Sequence, residues 1–504
     1  MSAGNDVAGP GPRGGATVVG AGAVDGVAVP DDDARWRDLV FPADWRNPTP
    51  ASRYNLVVIG AGPAGLVTSI AAAGLGARVA LIERHAMGGD CLNVGCVPSK
   101  TLLAAASAGL GFDAALQRVR AVRAAISYHD SVGRYANAGV HVFLGTARFV
   151  DAHTVEVGGA LLRTRKTVVA TGARAAMPPV PGLAELPART NETIFDLRVQ
   201  PRRLAVLGGG PIGCELAQAF ARLGTAVQLV ELQPRLLSAD DVEPAALVQA
   251  ALQRDGVQLH LGRRVVAAER GPDGCILELD DGTRVVSDEV LVAVGRRRNV
   301  EGLELERAGV QLDDRGGIAV DAQLRTTQPD IFAAGDVCST LQFTHAADAQ
   351  ARVVVRNALF AGRARTDRLV VPWCTYTKPE LAQVGATRQQ LEADGRRFDS
   401  FRFAFADLDR GRTDGDADGY AEVRVAPGTD RLLGATIVGR DAGELLAPLV
   451  VLLTLGRGLG SLGSLVLPYP TRSEYLRRLV DAWNRTRLTP RSAAALAWWL
   501  KLRR

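Results

Sequence analysis

Cysteine is scarce in this chain, with six in 504 residues, at positions 91, 96, 214, 275, 338 and 374. That is too sparse for a secreted disulfide scaffold, and no signal-peptide pattern stands ahead of them. A reducing cytoplasm is the expected location, where two closely spaced cysteines are more often catalytic than structural. Long apolar runs are absent too. The best candidate, Leu445 to Leu455, contains Pro448 and gives way to Arg457, so it reads as a buried helix rather than a membrane span. Histidine is rare as well: the last of the six is His345, which leaves the C-terminal third without an imidazole.

The net charge of +5 is unevenly placed. From Arg472 to Arg504 there are nine Lys/Arg against Glu474 and Asp481, so the body ahead of them is close to neutral. The basic pI belongs to the tail, and a nucleic-acid partner is not indicated. Residues 1 to 50, rich in Gly, Ala, Val and Asp, show neither helical nor strand periodicity. They are expected to form a disordered extension, with Trp36 and Trp45 as candidates to dock on the body.

From Asn55 a regular pattern begins. Leu56-Val57-Val58-Ile59 reads as a buried parallel strand. Gly60-Ala61-Gly62-Pro63-Ala64-Gly65 and an alanine-rich helix follow, then a second strand ending at Glu83. The unit recurs as Leu204-Ala205-Val206-Leu207, Gly208-Gly209-Gly210-Pro211-Ile212-Gly213, a helix, and a strand ending at Glu231. The first glycine and the acid are 23 residues apart in both copies.

Geometry asks for those glycines. Gly60 and Gly208 permit the strand-to-helix turn. Gly62 and Gly210 let backbone approach a pyrophosphate, and Gly65 and Gly213 let helix pack on strand. Phosphates then sit on the helix N-terminus, and Glu83 and Glu231 accept from an adenosine ribose. An acid at 231 favours NADH over NADPH, a preference that nearby Arg235 moderates.

Between the repeats lies Gly88-Gly89-Asp90-Cys91-Leu92-Asn93-Val94-Gly95-Cys96-Val97-Pro98-Ser99-Lys100. Residues five apart in a regular helix are separated by about 7.5 Å along the axis, whereas a disulfide wants Cα atoms within about 4.4–6.8 Å. A closing pair therefore needs a bend, for which Gly95 supplies the freedom. A helix N-terminus there would lower a thiol pKa. Buried structural cysteines or half of a metal site are the other readings. A zinc site needs a second Cys/His group, and none is evident, so no metal is expected.

At these residues the chain resembles the pyridine nucleotide-disulfide oxidoreductases, from about Tyr54 to about Arg487. Further matches are Ala170-Thr171-Gly172, Ala293-Val294-Gly295-Arg296, Ala333-Ala334-Gly335-Asp336-Val337 and Tyr376-Thr377-Lys378-Pro379-Glu380. The resemblance implies an α/β fold with two Rossmann-like dinucleotide-binding domains and a C-terminal α+β dimerisation domain. The FAD domain would take 51–180 and 300–365, the NAD(P)H domain 181–299 and the dimerisation domain 366–487, with a basic Trp-containing tail at 488–504. It implies a homodimer, with FAD held by the first repeat and by Lys100, Thr171, Gly172 and Asp336. The nicotinamide cofactor would lie on the second repeat and Gly295. Cys96 would face the flavin, Cys91 would exchange with substrate, and Lys100 would pair with Glu215.

One position departs from the family. Members that act on thiols or disulfides carry a His before Pro-Thr near the C-terminus, with a Glu four residues after that Pro. Here the segment is Leu467-Pro468-Tyr469-Pro470-Thr471-Arg472-Ser473-Glu474. Tyrosine, with a pKa near 10 against about 6.5 for histidine, is a poor proton acceptor at neutral pH. Lipoamide and glutathione disulfide are thus expected to be poor acceptors. Tyr469 resembles mercuric reductases, yet no Cys precedes 91 and no Cys pair ends the chain.

The expected activity is hydride transfer from NAD(P)H through FAD to Cys91 and Cys96, and on to a disulfide, a soft metal ion such as Hg(II) or a small electrophile. Two rivals are a quinone reductase at a membrane surface and a flavin redox sensor. Trp483, Trp498 and Trp499 among Arg and Lys suit a membrane interface, though a basic helix end packed on the body is favoured.

Overall fold

The computed structural model describes residues 31–360 and 362–504. Residues 1–30, most of the expected extension, lie outside the described residues. The remainder of that stretch departs from expectation. Asp32–Val40 is a helix (α1) whose N-cap Asp31 accepts from the Asp33 N–H at 3.1 Å, with Asp32 and Asp33 in its first turn and Arg37 in its last. Those charges suit the helix dipole. Tertiary contacts secure it, a signal that periodicity does not carry. Trp36 and Trp45 both dock: Trp45 Nε1 donates to the Val142 carbonyl at 3.2 Å, and Asn47 exchanges hydrogen bonds with the Leu144 backbone.

Two nucleotide-binding folds follow. In the first, Tyr54–Ile59 (β1) lies between Val79–Glu83 (β2) and Ala160–Val169, all parallel, with His141–Leu144 and Ile331–Ala333 at the flanks. Pro63–Gly74 (α2) crosses from β1 to β2. In the second, Arg203–Leu207 (β3) pairs in parallel with Ala226–Glu231 (β4) and Glu289–Val292, and Gln258–Leu261 closes the other edge. β1 to β4 are almost continuously apolar because both faces of each parallel sheet are covered. A ribbon of Ala173–Ala175 with Arg296–Arg298 joins the folds, and Ile331–Ala333 returns the chain to the first sheet.

The C-terminal unit is a five-stranded antiparallel sheet. Its strands run in the order Trp373–Thr375, Glu380–Gly385, Leu432–Gly439, Tyr420–Val425 and Asp399–Ala404. Helices cover it, and its core includes Phe405, Ile437, Leu449 and Tyr475. The whole is therefore the expected α/β assembly with a C-terminal α+β domain.

One core joins the two nucleotide folds. Gly89–Asn93 (α3), Cys96–Ser107 (α4) and Phe112–Ser127 (α5) follow β2, and Pro211–Arg222 (α6) follows β3. Leu102, Leu103, Phe112 and Leu116 pack with Cys214, Leu216 and Phe220 in one buried cluster. That contact sets α4 beside α6.

Candidate active site

The expected bend in the cysteine segment falls where glycine sits. α3 ends at Asn93, and Gly95 is the N-cap of α4 in a non-helical conformation (φ −124°, ψ −113°). A Cβ on Gly95 would stand 2.8 Å from the Asp90 carbonyl oxygen and 3.3 Å from the Cys91 Cα, so only glycine lets α3 fold back this closely. The fold-back sets the Cys91 and Cys96 side chains close enough for each to shift the ionisation of the other, with both thiols free.

Cys96 is the first residue of the 12-residue α4, where the helix dipole favours an anion. Its pKa lies well below the ordinary thiol value. The hydrogen bond from Cys91 is the main cause; burial opposes it, and Lys100 and Thr344 add to it. The same hydrogen bond, together with burial, pushes Cys91 up. These opposite shifts favour a thiolate at 96 and a thiol at 91 in the reduced pair. Thr344 Oγ1 lies 3.5 Å from the Cys96 sulfur.

One turn along α4, Lys100 Nζ donates to Glu215 Oε2 on α6 at 2.7 Å. The other carboxylate oxygen of Glu215 accepts from the Tyr376 N–H at 2.9 Å, and the Tyr376 ring centroid lies 4.5 Å from the Lys100 ammonium. Burial works against the charge on Lys100, but Glu215 and Cys96 outweigh it and raise its pKa. A firmly charged ammonium one turn from Cys96 favours the thiolate.

Both glycine turns have the same construction. Gly60 and Gly208 have φ of +102° and +106°, and a Cβ on either would strike a neighbouring carbonyl oxygen, at 2.4 and 2.5 Å. A Cβ on Gly65 or Gly213 would collide with the carbonyl oxygen of that first glycine, which is the close helix-to-strand packing expected. Glu83 accepts from the Ala61 N–H and the His85 N–H, each at 2.8 Å. Glu231 accepts from the equivalent Gly209 N–H and from the Gln233 N–H, the latter at 2.7 Å. Each carboxylate therefore stiffens its own glycine turn.

Over the helix ends there is room for a ligand. Gly62 and Gly210 cap α2 and α6 without a side-chain cap, and Pro follows each. A Cβ on Gly62 would meet nothing nearer than 3.8 Å, and one on Gly210 nothing within 4 Å. Beside Gly210 a cavity of about 560 Å³ is lined by Glu231, Arg263, Arg264 and Gly295 among others. Arg235 is not among its lining residues. Its guanidinium donates to the carbonyls of Leu236, Leu237, Ser238 and Asp240.

Asp336 lies 3.4 Å from Arg296 Nε, and Arg296 also pairs with Asp90 beside Cys91. Burial raises the Asp336 pKa, with Arg296 opposing. Arg296 Nε is buried without a hydrogen-bond acceptor. A half-buried acid and an unsatisfied donor side by side fit a site completed by ribityl hydroxyl or phosphate oxygens. The Thr171 hydroxyl donates to the Asn299 carbonyl at 2.7 Å and Gly172 accepts from the Asn299 N–H, so both sit at the junction of the two folds.

Tyr469 is 70% exposed, and its hydroxyl donates to Asp409 at 2.7 Å. Glu474, expected beside it, ends a short turn ahead of the helix Tyr475–Arg487 (α7) and makes no side-chain hydrogen bond or ion pair among the described residues. Among the described residues no hydrogen bond joins Tyr469 to the cysteine pair. Asp409 went unforeseen because it lies 60 residues away, at the start of a five-residue helix with no motif of its own.

Comparison with known proteins decides the family. Residues 54–351 match the pyridine nucleotide-disulphide oxidoreductase family, and residues 371–480 match its dimerisation domain. The chain belongs to the pyridine nucleotide-disulfide oxidoreductases. It is 37% identical to a dihydrolipoyl dehydrogenase of Thermus scotoductus over 86% of this chain and 98% of that one. A mercuric reductase of Streptomyces lividans is 33% identical, covering 84% and 95%. Among solved structures, the Cu(II) complex of the HOCl-induced flavoprotein disulfide reductase RclA from Escherichia coli aligns with a TM-score of 0.80. The identity is 30%, over 86% of this chain and 99% of that one.

Membership supports use of FAD and a pyridine nucleotide, and the dimerisation domain indicates a homodimer. The two glycine turns and the Asp336–Arg296 pair fit such cofactors. Among the described residues no cluster of His, Cys, Asp or Glu could hold a metal ion, and no helix is long and apolar enough to cross a membrane.

Proposed function

We propose that this oxidoreductase passes electrons from NADH through the Cys91–Cys96 pair to a soft acceptor, either an accessible disulfide or a thiophilic metal ion such as Hg(II) or Cu(II). The observation that carries this reading is the fold-back at Gly95, which sets Cys91 beside Cys96 at the N-terminus of α4, one turn from the Lys100 ammonium; that setting favours Cys96 as thiolate and Cys91 as the proton-bearing partner. Bound FAD would supply the two-electron relay between nicotinamide and sulfur.

The residues then divide the work. The Gly62 and Gly210 turns hold pyrophosphates on helix N-termini, and Asp336 with Arg296 receives the flavin's polar chain. Glu215 fixes Lys100, and Lys100 keeps a negative charge on Cys96. With a disulfide acceptor, the Cys91 sulfur attacks and its proton passes to the first sulfur expelled, which leaves as a thiol. Cys96 then displaces the second, which restores the internal disulfide. Two thiols leave and two electrons have moved.

Tyr469 argues for the soft-metal side of this range. Its pKa is raised by the hydrogen bond to Asp409, so at neutral pH it is a proton donor rather than a base. A metal ion needs ligands and no proton shuttle. The mercuric reductase relatives and the Cu(II)-bound RclA structure fit the same reading.

The deciding experiment is anaerobic NADH titration followed by an acceptor panel of Hg(II), Cu(II), lipoamide, glutathione disulfide and a quinone. The expected result is uptake of about two electrons for each of two redox centres, with turnover on the metal ions that Cys91→Ser abolishes. Full quinone turnover in Cys91→Ser would instead make the cysteines spectators. Reduction that stops after one round, with every acceptor inert, would point to a sensor.

A further inference from the structure

The last helix of the chain, Pro490–Leu502 (α8), has no partner in the fold among the described residues. α7 before it is docked, with Tyr475, Leu476, Leu479 and Val480 buried. At its end Trp483 Nε1 donates to the Thr429 carbonyl at 3.1 Å. After the joint at Leu488 and Thr489, whose side chain caps α8, no side-chain hydrogen bond ties the helix to any residue before Arg487 among the described residues, and none of its thirteen residues is buried. The expectation that this tail packs on the body therefore holds for Trp483 and fails for Trp498 and Trp499.

What the helix exposes is apolar. Leu496, Trp498, Trp499, Leu500 and Leu502 are each 51–64% exposed. At about 100° per residue they cover an arc of roughly 200°, with Lys501 inside the remaining arc of about 160°. Five large apolar side chains on one free helix form a patch that a protein does not ordinarily leave in water. The charge around it has one sign. Beyond Asp481 there is no acidic residue, whereas Arg485, Arg487, Arg491, Lys501, Arg503 and Arg504 are basic.

We propose that α8 is an interfacial helix that binds an anionic phospholipid bilayer and holds this reductase at the membrane surface. At about 1.5 Å per residue it is roughly 20 Å long, too short to cross a hydrocarbon core of about 30 Å. It lies in the headgroup region, with its leucines toward the acyl chains and the two tryptophans at the boundary where such rings settle. The flanking arginines and Lys501 meet lipid phosphates. The inference rests on the helix alone and is independent of the acceptor.

The test is vesicle flotation of the full chain, beside Trp498→Ala/Trp499→Ala, on phosphatidylcholine vesicles with and without phosphatidylglycerol. Light scattering reports the oligomeric state of both proteins. The full chain is expected to float with the anionic vesicles and to lose most binding in about 1 M salt, where the screening length is roughly 3 Å. The double variant should bind at least roughly tenfold more weakly, with unchanged oligomeric state and unchanged NADH oxidation. Failure of the full chain to float with anionic vesicles would overturn the proposal. A smaller assembly in the double variant would also overturn it, since α8 would then be a contact between copies of the chain.

Discussion

Trp36 Nε1 donates to Asn93 Oδ1 at 2.7 Å, so a helix ahead of the first nucleotide-binding strand grips a residue between the two redox cysteines. Asn93 in turn donates to the carbonyls of Met87 and Gly89, at 3.0 and 2.9 Å. Arg123 stacks over the Trp36 ring at 4.1 Å, pairs with Asp33 at 2.7 Å and donates to the Asn93 carbonyl. All of α1 precedes residue 54, where the family match begins.

Removing that ring should loosen the cysteine segment. Trp36→Ala loses a hydrogen bond, a cation–π contact and a half-buried indole, together about 2–3 kcal/mol. Thermal unfolding should report the loss, and alkylation of Cys91 in the reduced protein should quicken. Trp36→Phe keeps the ring and should cost only about 1 kcal/mol. Equal effects of the two substitutions would remove the hydrogen bond from the account.

Gly95→Ala tests the fold-back itself. The new methyl would press on the Asp90 carbonyl at 2.8 Å, and that is backbone with little room to yield. Overpacking of this kind costs about 1–3 kcal/mol, and relief would come from moving α3 away from α4. The variant should therefore form the Cys91–Cys96 disulfide more slowly on oxidation, measured by thiol counting. An unchanged rate would mean that the bend tolerates a side chain.

Much of this architecture is legible in the sequence alone. The paired glycine turns are local, and each glycine answers a steric demand within its own βαβ unit, so sequence spacing carries them. The bend at Gly95 follows from helix geometry and disulfide reach. Trp36–Asn93 and Tyr469–Asp409 are not legible there, because each joins segments far apart in the chain through one side chain and no pattern. The end of the tail misleads for another reason: tryptophans among basic residues suit packing on the body as well as a membrane interface, and composition does not say which.

The depressed pKa of Cys96 has a direct consequence for pH dependence. Its thiolate is present above that lowered value and is lost only as pH falls through it, so alkylation at Cys96 should persist well below the ordinary thiol range near 8.5. Cys91, raised by the same hydrogen bond, should react only at higher pH. Lys100→Met removes the nearest cation and should move the Cys96 profile upward by about one unit. Mass spectrometry of alkylated peptides across pH checks this, and an unmoved profile would leave Lys100 without influence on the thiolate.

Cofactor choice is expected to turn on two side chains that line the 560 Å³ cavity. Glu231 repels a 2′-phosphate, whereas Arg264 lines the same space with no hydrogen-bond or ion-pair partner for its guanidinium among the described residues. NADH should be preferred and NADPH tolerated. Glu231→Gln should raise NADPH use relative to NADH by roughly tenfold, and Arg264→Ala should lower NADPH use while leaving NADH nearly unchanged. Ratios of kcat/KM for the two cofactors settle it, and an Arg264→Ala effect on both alike would exclude a 2′-phosphate contact.

Tyr469→His should convert acceptor preference, because the position already has a carboxylate partner. Asp409 accepts from the tyrosine hydroxyl at 2.7 Å, and an imidazole there could donate to the same oxygen and present its other nitrogen to substrate. Histidine titrates near 6.5, and a neighbouring carboxylate shifts that upward, so a working base appears close to neutral pH. Turnover of lipoamide and glutathione disulfide should rise at least roughly tenfold, following an ionisation near neutrality that the parent protein lacks, while turnover of Hg(II) should not rise. Asp409→Asn in the Tyr469→His background should take back much of the gain. Steady-state NADH oxidation across pH with each acceptor is the measurement. A Tyr469→His variant no better on disulfides than its parent would mean that the missing base is not what limits them.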